Sequence, residues 1–210
     1  MDSVTGVGTL DKAMSVLRCV AEAPRTLGEL TTATGLPRAT AHRLASALAD
    51  HGVLRRDRQG RYDLGHGLVA LGRAAAERFP IVERARPVLE SLRDDTGEGV
   101  QLFVRTGDRR CCVISLESPH GLRWIVPEGA LLPLEVGSAG RVLLGEPASA
   151  GWVESVGERE AGVASVSAPV RQADGAVVAA VSVSGPIERL TEHPGRRFGP
   201  AVVAAALAIT

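Results

Sequence analysis

Thr26-Leu27-Gly28-Glu29-Leu30-Thr31-Thr32-Ala33-Thr34-Gly35-Leu36-Pro37-Arg38-Ala39-Thr40-Ala41-His42-Arg43-Leu44 is the stretch whose reading decides the fold. Thr26 and Glu29 have the spacing of a capping box, in which hydroxyl and carboxylate satisfy each other's backbone donors at a helix start. The helix so begun runs to about Thr34, where Gly35 supplies a break. Pro37 suits the first turn of the next helix, because its missing N–H has no partner there anyway. That next helix ends near His51-Gly52, with glycine where a left-handed cap is wanted. Ala41, Leu44, Ala45 and Leu48 share one side and can pack on the preceding helix. Arg38, Ala39, Thr40, His42 and Arg43 leave a small and polar surface at the beginning of the helix. A short helix, a glycine turn and a second helix form a helix-turn-helix. The early residues of its second helix are those that reach base edges in the major groove. Arg43 suits a guanine, Arg38 a base or a phosphate, and Ala39 and Thr40 a thymine methyl.

Upstream, Leu10, Ala13, Met14, Leu17, Val20 and Ala21 form one helical stripe from Thr9 to Ala23, stopped by Pro24. Downstream, residues 53–57 and 60–64 read as two short strands around the polar turn Arg58-Gln59-Gly60. A hairpin directly after a recognition helix is a wing, and its arginines can lie on the DNA backbone or in a narrow minor groove. Between Arg38 and Arg61 stand six arginines (38, 43, 55, 56, 58 and 61) against Asp50 and Asp57, in a chain whose 24 basic and 24 acidic residues otherwise cancel. Such a single-sign cluster is what phosphate contact requires. The candidate DNA contacts are therefore Thr26, Arg38, Ala39, Thr40, His42, Arg43, Arg55, Arg58 and Arg61, and the partner is double-stranded operator DNA.

Residues 65–79 and 81–95 carry helical stripes, read as a linker followed by the first helix of a second domain. From Val100 the period becomes strand-like: residues 100–104, 111–116 and 122–126 are expected strands. A helix is expected to start at Ser138, and strands 163–170 and 177–184 to meet in the Ala173-Asp174-Gly175 turn. An alanine-rich helix is expected from Pro200 to Ile209. Strands in runs with flanking helices indicate an α+β domain with an antiparallel sheet.

The 210 residues suffice for two modest domains, each with its own core. No apolar run approaches the ~20 residues needed to span a bilayer, and Met1-Asp2-Ser3-Val4 lacks a signal pattern, so the expectation is a cytoplasmic protein with no membrane partner. Cys19, Cys111 and Cys112 give no disulfide framework, and the five histidines stand apart from them, so no metal is expected. Enzyme activity is not expected either. Cys111-Cys112 sits in an apolar strand, His120 and His193 neighbour prolines, and no nucleophile elbow or phosphate loop occurs.

The sequence resembles the IclR family of transcription regulators across essentially its whole length. The matching words are Gly8-Thr9-Leu10-Asp11-Lys12-Ala13, residues 34–44, Gly60-Arg61-Tyr62-Asp63-Leu64-Gly65, residues 117–123, Ser165-Val166-Ser167-Ala168-Pro169-Val170 and Val181-Ser182-Val183-Ser184-Gly185-Pro186. Residues 157–169 and 185–195 look like the family's NdgR/LeuR-like branch, associated with leucine and other amino-acid metabolism. The resemblance implies a winged helix-turn-helix over 1–65, a linker helix over 66–80, and a GAF-like effector-binding and oligomerisation domain over 81–210. It also implies a homodimer or dimer of dimers on a palindromic operator, and no cofactor. Carried over residue by residue, the family's effector contacts fall on Ser138, Ala139, Gly140, Ser155, Val163, Ser165, Ser182 and Ser184. N–H groups at the helix start suit a carboxylate, and Ser182 and Ser184 share one strand face. Leu122 and Val163 would wall an aliphatic side chain, which makes leucine or methionine the candidate effector. The alternatives are a ligand-free dimeric DNA-binding protein or an enzyme using the second domain. One departure stands out: between Leu144 and Gly151 the family usually has several tens of residues, and here only residues 145–150 intervene.

Overall fold

The computed structural model describes residues 7–146, 148 and 150–209, which fall into two units dividing at Phe79 and Pro80. Pro147 and Ser149, within the shortened connection noted above, lie outside the described residues.

The first unit contains α1 (Gly8–Glu22), α2 (Leu27–Thr34), α3 (Arg38–Asp50), β1 (Leu54–Arg56), β2 (Tyr62–Leu64) and α4 (Gly67–Arg78). The capping box forms: the Thr26 backbone N–H donates to the Glu29 carboxylate at 2.7 Å, and the Thr26 hydroxyl accepts from the Glu29 N–H. Gly35 takes the left-handed conformation, at φ 67°, that ends α2. Pro37 is the N-cap residue of α3 and not its first helical residue. One core, with Val16, Val20, Leu30, Leu44, Leu54 and the fully buried Tyr62 at its centre, locks the three helices to the β1–β2 hairpin. Arg25 and Tyr62 exchange backbone hydrogen bonds, so the segment between α1 and α2 joins the edge of that hairpin.

The second unit contains α5 (Ile81–Thr96), β3 (Gly99–Thr106), β4 (Arg109–Leu116), β5 (Leu131–Pro133), α6 (Ser138–Leu143), β6 (Val153–Val156), β7 (Val163–Arg171), β8 (Val177–Pro186), the short α7 (Ile187–Leu190) and α8 (Pro194–Ala208). Its six strands are antiparallel throughout, in the order β5-β4-β3-β8-β7-β6. Strand alternation sorts the two faces. Ala164, Val166, Ala168 and Val170 of β7, with Ala179, Val181 and Val183 of β8, face the main core beneath α5 and α8. Ser165, Ser167, Ser182 and Ser184 therefore point to the opposite face, the one covered by α6.

Two expected elements differ in the structure, and one strand is additional. Residues 122–126 form no strand, because the outer edge of β4 is already paired with Leu131–Pro133, and Cys112 exchanges backbone bonds with Gly129 and Ala130. The last helix starts at Pro194, six residues earlier than expected, with Pro200 inside it. β6 was not foreseen at all. Among the described residues no helix is long and apolar enough to cross a membrane.

Candidate functional site

In the first unit Arg38, Ala39, His42 and Arg43 are exposed at the start of α3, with Thr40 half-buried between them. The hairpin explains which of its arginines are free. Asp57 accepts from the backbone N–H groups of Gln59 and Arg61 and forms a 2.8 Å ion pair with the Arg61 guanidinium. The Arg61 side chain above all holds the Asp57 carboxyl below its usual range. Arg55 pairs with Asp63, while Arg56 stacks on the Tyr62 ring at 4.4 Å and donates to its hydroxyl. The side chains of Arg38, His42, Arg43 and, at the hairpin tip, Arg58 have no hydrogen bond or ion pair among the described residues. Thr26 spends its hydroxyl on Glu29, which leaves the first N–H groups of α2 as the donors open there.

The second unit holds a small cavity, about 30 Å³, between the serine-bearing face of the sheet and α6. Of the expected effector residues, Ser138, Ala139, Ser155, Val163, Ser165, Ser182 and Ser184 line it. The serines bond one another. The Ser138 hydroxyl lies 2.7 Å from those of both Ser165 and Ser167, Ser167 donates to Ser182 at 2.9 Å, and Ser184 donates to the Gln101 side-chain Oε1 at 2.8 Å. Gln101, Phe103, Arg110, Trp124, Val126, Leu132, Gly137, Arg159 and Glu160 complete the wall.

The IclR helix-turn-helix domain model matches residues 9–58, and the model of the bacterial transcriptional regulator IclR C-terminal domain matches residues 73–150 and 148–210. The chain belongs to the IclR family of bacterial transcriptional regulators. The C-terminal match comes in two pieces meeting at residues 148–150, beside the shortened connection. The chain is 35% identical over 137 residues to the HTH-type transcriptional regulator KipR of Bacillus subtilis, covering 65% of this chain and 55% of that protein. It is 28% identical over 220 residues to the glycerol operon regulatory protein of Streptomyces griseus, covering 88% and 87%. Its fold is that of an IclR homologue from Microbacterium hydrocarbonoxydans solved in complex with 4-hydroxybenzoate, with a TM-score of 0.74, 22% identity, and 96% and 97% of the two chains covered.

Two of the effector residues that the IclR resemblance implied stand away from the cavity. Leu122 is 70% exposed and does not line it. Gly140 is buried where a Cβ would press on the Leu134 carbonyl and the Arg110 guanidinium, which makes its smallness a packing requirement. Conversely, sequence reasoning passed over Gln101, Ser167, Arg110, Trp124 and Arg159. A usable signal existed for one of them, since Gln101 interrupts the otherwise apolar run 100–104.

Proposed function

We propose that this IclR-family chain is an operator-binding transcription regulator acting in the cytoplasm, its affinity for DNA modulated by a small metabolite held in the second unit. In this reading residues 1–65 bind DNA, 66–80 link and 81–210 sense and oligomerise. The observation that carries it is the set of uncommitted side chains: Arg38, His42 and Arg43 at the exposed start of α3, with Arg58 at the hairpin tip. Arg55 and Arg61, already paired, act as supports of the hairpin and only secondarily as contacts. Two heads in a homodimer or dimer of dimers imply a palindromic operator. Fluorescence anisotropy on promoter DNA tests this. With three free arginines per head and two heads bound, log K should fall against log salt with a slope of about −5. Arg43→Ala should lose discrimination by about 1–3 kcal/mol, and Arg58→Ala should weaken all sequences alike. Binding that is neither sequence-selective nor salt-dependent would sink the reading.

The effector reading rests on the cavity and its serines. The likeness of residues 157–169 and 185–195 to the NdgR/LeuR-like branch supports an amino-acid target, with leucine or methionine as effector and Phe103, Val126 and Val163 as apolar walls. The mutual bonding of the serines and the small cavity favour a second reading, a ligand-free dimerisation module on the same DNA-binding head. Thermal shift against a metabolite panel separates them: stabilisation by no compound favours the second.

A further inference from the structure

Residues 157–162, Gly157-Glu158-Arg159-Glu160-Ala161-Gly162, join β6 to β7 and carry a glycine at each end. Both glycines take left-handed backbone, at φ 68° and 85°, and of the residues between them only Arg159 is half-buried. The base of this turn is fixed, because the Gly157 N–H donates to Val163 and the Gly162 carbonyl accepts from Ile187. Two side chains hold its tip. Glu158 accepts from the Gly137 N–H at 3.0 Å and from Arg141 at 2.7 Å. Arg141 is shared with Glu146, and all three side chains reach solvent, where ion pairs hold weakly. Arg159 lies over the Trp124 ring at 4.7 Å, and Trp124 belongs to the irregular segment between β4 and β5. That segment is tied down more firmly. Ser118 donates to the Gly97 carbonyl at 2.6 Å, and Arg189, paired with the buried Glu98, donates to the Leu122 carbonyl at 2.9 Å.

Three unfavourable features meet where Arg159 covers Trp124. Arg159 has no ion pair among the described residues, and burial pushes it below the usual arginine range. The Trp124 indole N–H is buried without an acceptor. Arg110, 3% exposed in the same cavity wall, is pushed down to about 10 by burial first and then by the positive charge of Arg159, so the two guanidinium groups repel. Swinging Arg159 outward relieves all three: it returns one cation to water, opens the indole N–H to water and separates like charges. The cavity itself, at about 30 Å³, has room for about two or three waters, so nothing of metabolite size enters until part of its wall moves. Most of that wall is paired sheet and packed helix, which leaves the glycine-flanked turn as the part free to move.

We propose that residues 157–162 form a gate over this cavity, closed by Arg159 on Trp124, latched by Glu158 on α6, and opened by rotation about Gly157 and Gly162. Its use for effector entry rests on the reading of the cavity as the effector site, whereas its opening is a property of the chain without ligand. Glu158 grips Gly137, the N-cap residue of α6, so opening also frees the start of the helix that carries Ser138.

The test is thiol labelling of the full chain with methyl methanethiosulfonate, a small uncharged reagent, read by peptide mass spectrometry. The reporter is Ser182→Cys, in the cavity wall, on a Cys111→Ser background. Native Cys112, fully buried on the same side of the sheet but outside the cavity lining, is the internal control. Arg159→Ala should speed labelling at position 182 by about two- to thirtyfold, the range of one cation–π contact, and leave Cys112 unchanged. Glu158→Gln should speed it by a smaller factor. Loss of a nearby cation makes a thiolate less stable and would by itself slow the reaction, so acceleration reports access. Ser184→Cys replaces the reporter if circular dichroism shows that Ser182→Cys does not fold. Unchanged labelling in Arg159→Ala, or equal acceleration at Cys112, which marks general loosening, would each overturn the gate. Melting with a metabolite panel is measured separately: a chain that no metabolite stabilises defeats the effector reading and leaves the gate standing.

Discussion

Thr26 shows how one side chain limits what its neighbours can do. Its hydroxyl donates to Glu29 at 2.9 Å and accepts from the Glu29 N–H at 3.3 Å, so it fixes the start of α2 and, through α2, the turn that aims α3. Thr26→Ala should destabilise the first unit by about 1 kcal/mol, the usual loss for a helix N-cap. The Glu29 carboxyl is held below its ordinary value, first by the Thr26 backbone N–H and then by the Thr26 hydroxyl. A group whose folded pKa is depressed stabilises fully above its unfolded value, here 4.5, and loses that contribution as pH falls through the folded value. The deficit of Thr26→Ala should therefore be full at neutral pH and shrink only in acid below that point. Urea unfolding of both proteins across pH 3–7 checks it; a deficit that grows in acid would contradict the sign.

At the scale of elements, α8 docks through two glycines. A Cβ on Gly199 would stand 2.5 Å from the Trp152 ring, and Gly195 lies against the same indole. Glu154 of β6 accepts the Gly195 N–H at 2.8 Å, which ties the helix start to that strand. Alanine at position 199 would gain about 1 kcal/mol of helix propensity. It would also force a rigid ring to move, and overpacking of this kind costs about 1–3 kcal/mol. The clash wins, so Gly199→Ala should lower the urea midpoint with an unchanged slope. Combining it with Trp152→Ala should show coupling between the two sites, because the cavity left by the ring admits the added methyl. This docking also explains what the sequence concealed. The capping box, Gly35, the hairpin and the β7–β8 pair are announced by local signals and stand within a few residues of where they were expected. β6 is only four residues, too short for its alternation to stand out between Gly151 and Gly157, and is defined by pairing with β7. The alternation in 122–126 is real, but it cannot reveal that Leu131–Pro133 already occupies the β4 edge. Pro200 reads as a helix start because the true one, at Pro194, is held by contacts of Gly195 with Trp152 and Glu154, which local sequence does not show. The serines were legible through their period of two. Arg110 was not, since its burial depends on carbonyls 23 and 26 residues away, and Gln101 meets Ser184 across 83 residues.

For the whole molecule, zero net charge means that no global field draws it to DNA, and affinity must come from the few uncommitted cations of the first unit. A ligand in the second unit can then regulate only by shifting an equilibrium between states that bind operator unequally. That condition has a quantitative consequence. If a bound ligand changes operator affinity by some factor, bound operator must change ligand affinity by the same factor, because the two binding free energies share one cycle. Couplings of about 1–3 kcal/mol, or 5–150-fold, are usual. The expected outcome is that a metabolite found to stabilise the chain, titrated calorimetrically into the free protein and into the protein saturated with operator, shows affinities differing by the ratio that anisotropy gives for operator with and without that metabolite. A factor that reaches a finite limit at saturating ligand would mean that ligand and operator occupy the protein together at separate, coupled sites. A factor that keeps rising with ligand concentration, with no limiting value, would mean that the ligand acts at the DNA surface itself, competing with phosphates for Arg38, Arg43 and Arg58. In that case Arg110→Gln would leave the apparent regulation intact, and the cavity would have no part in it.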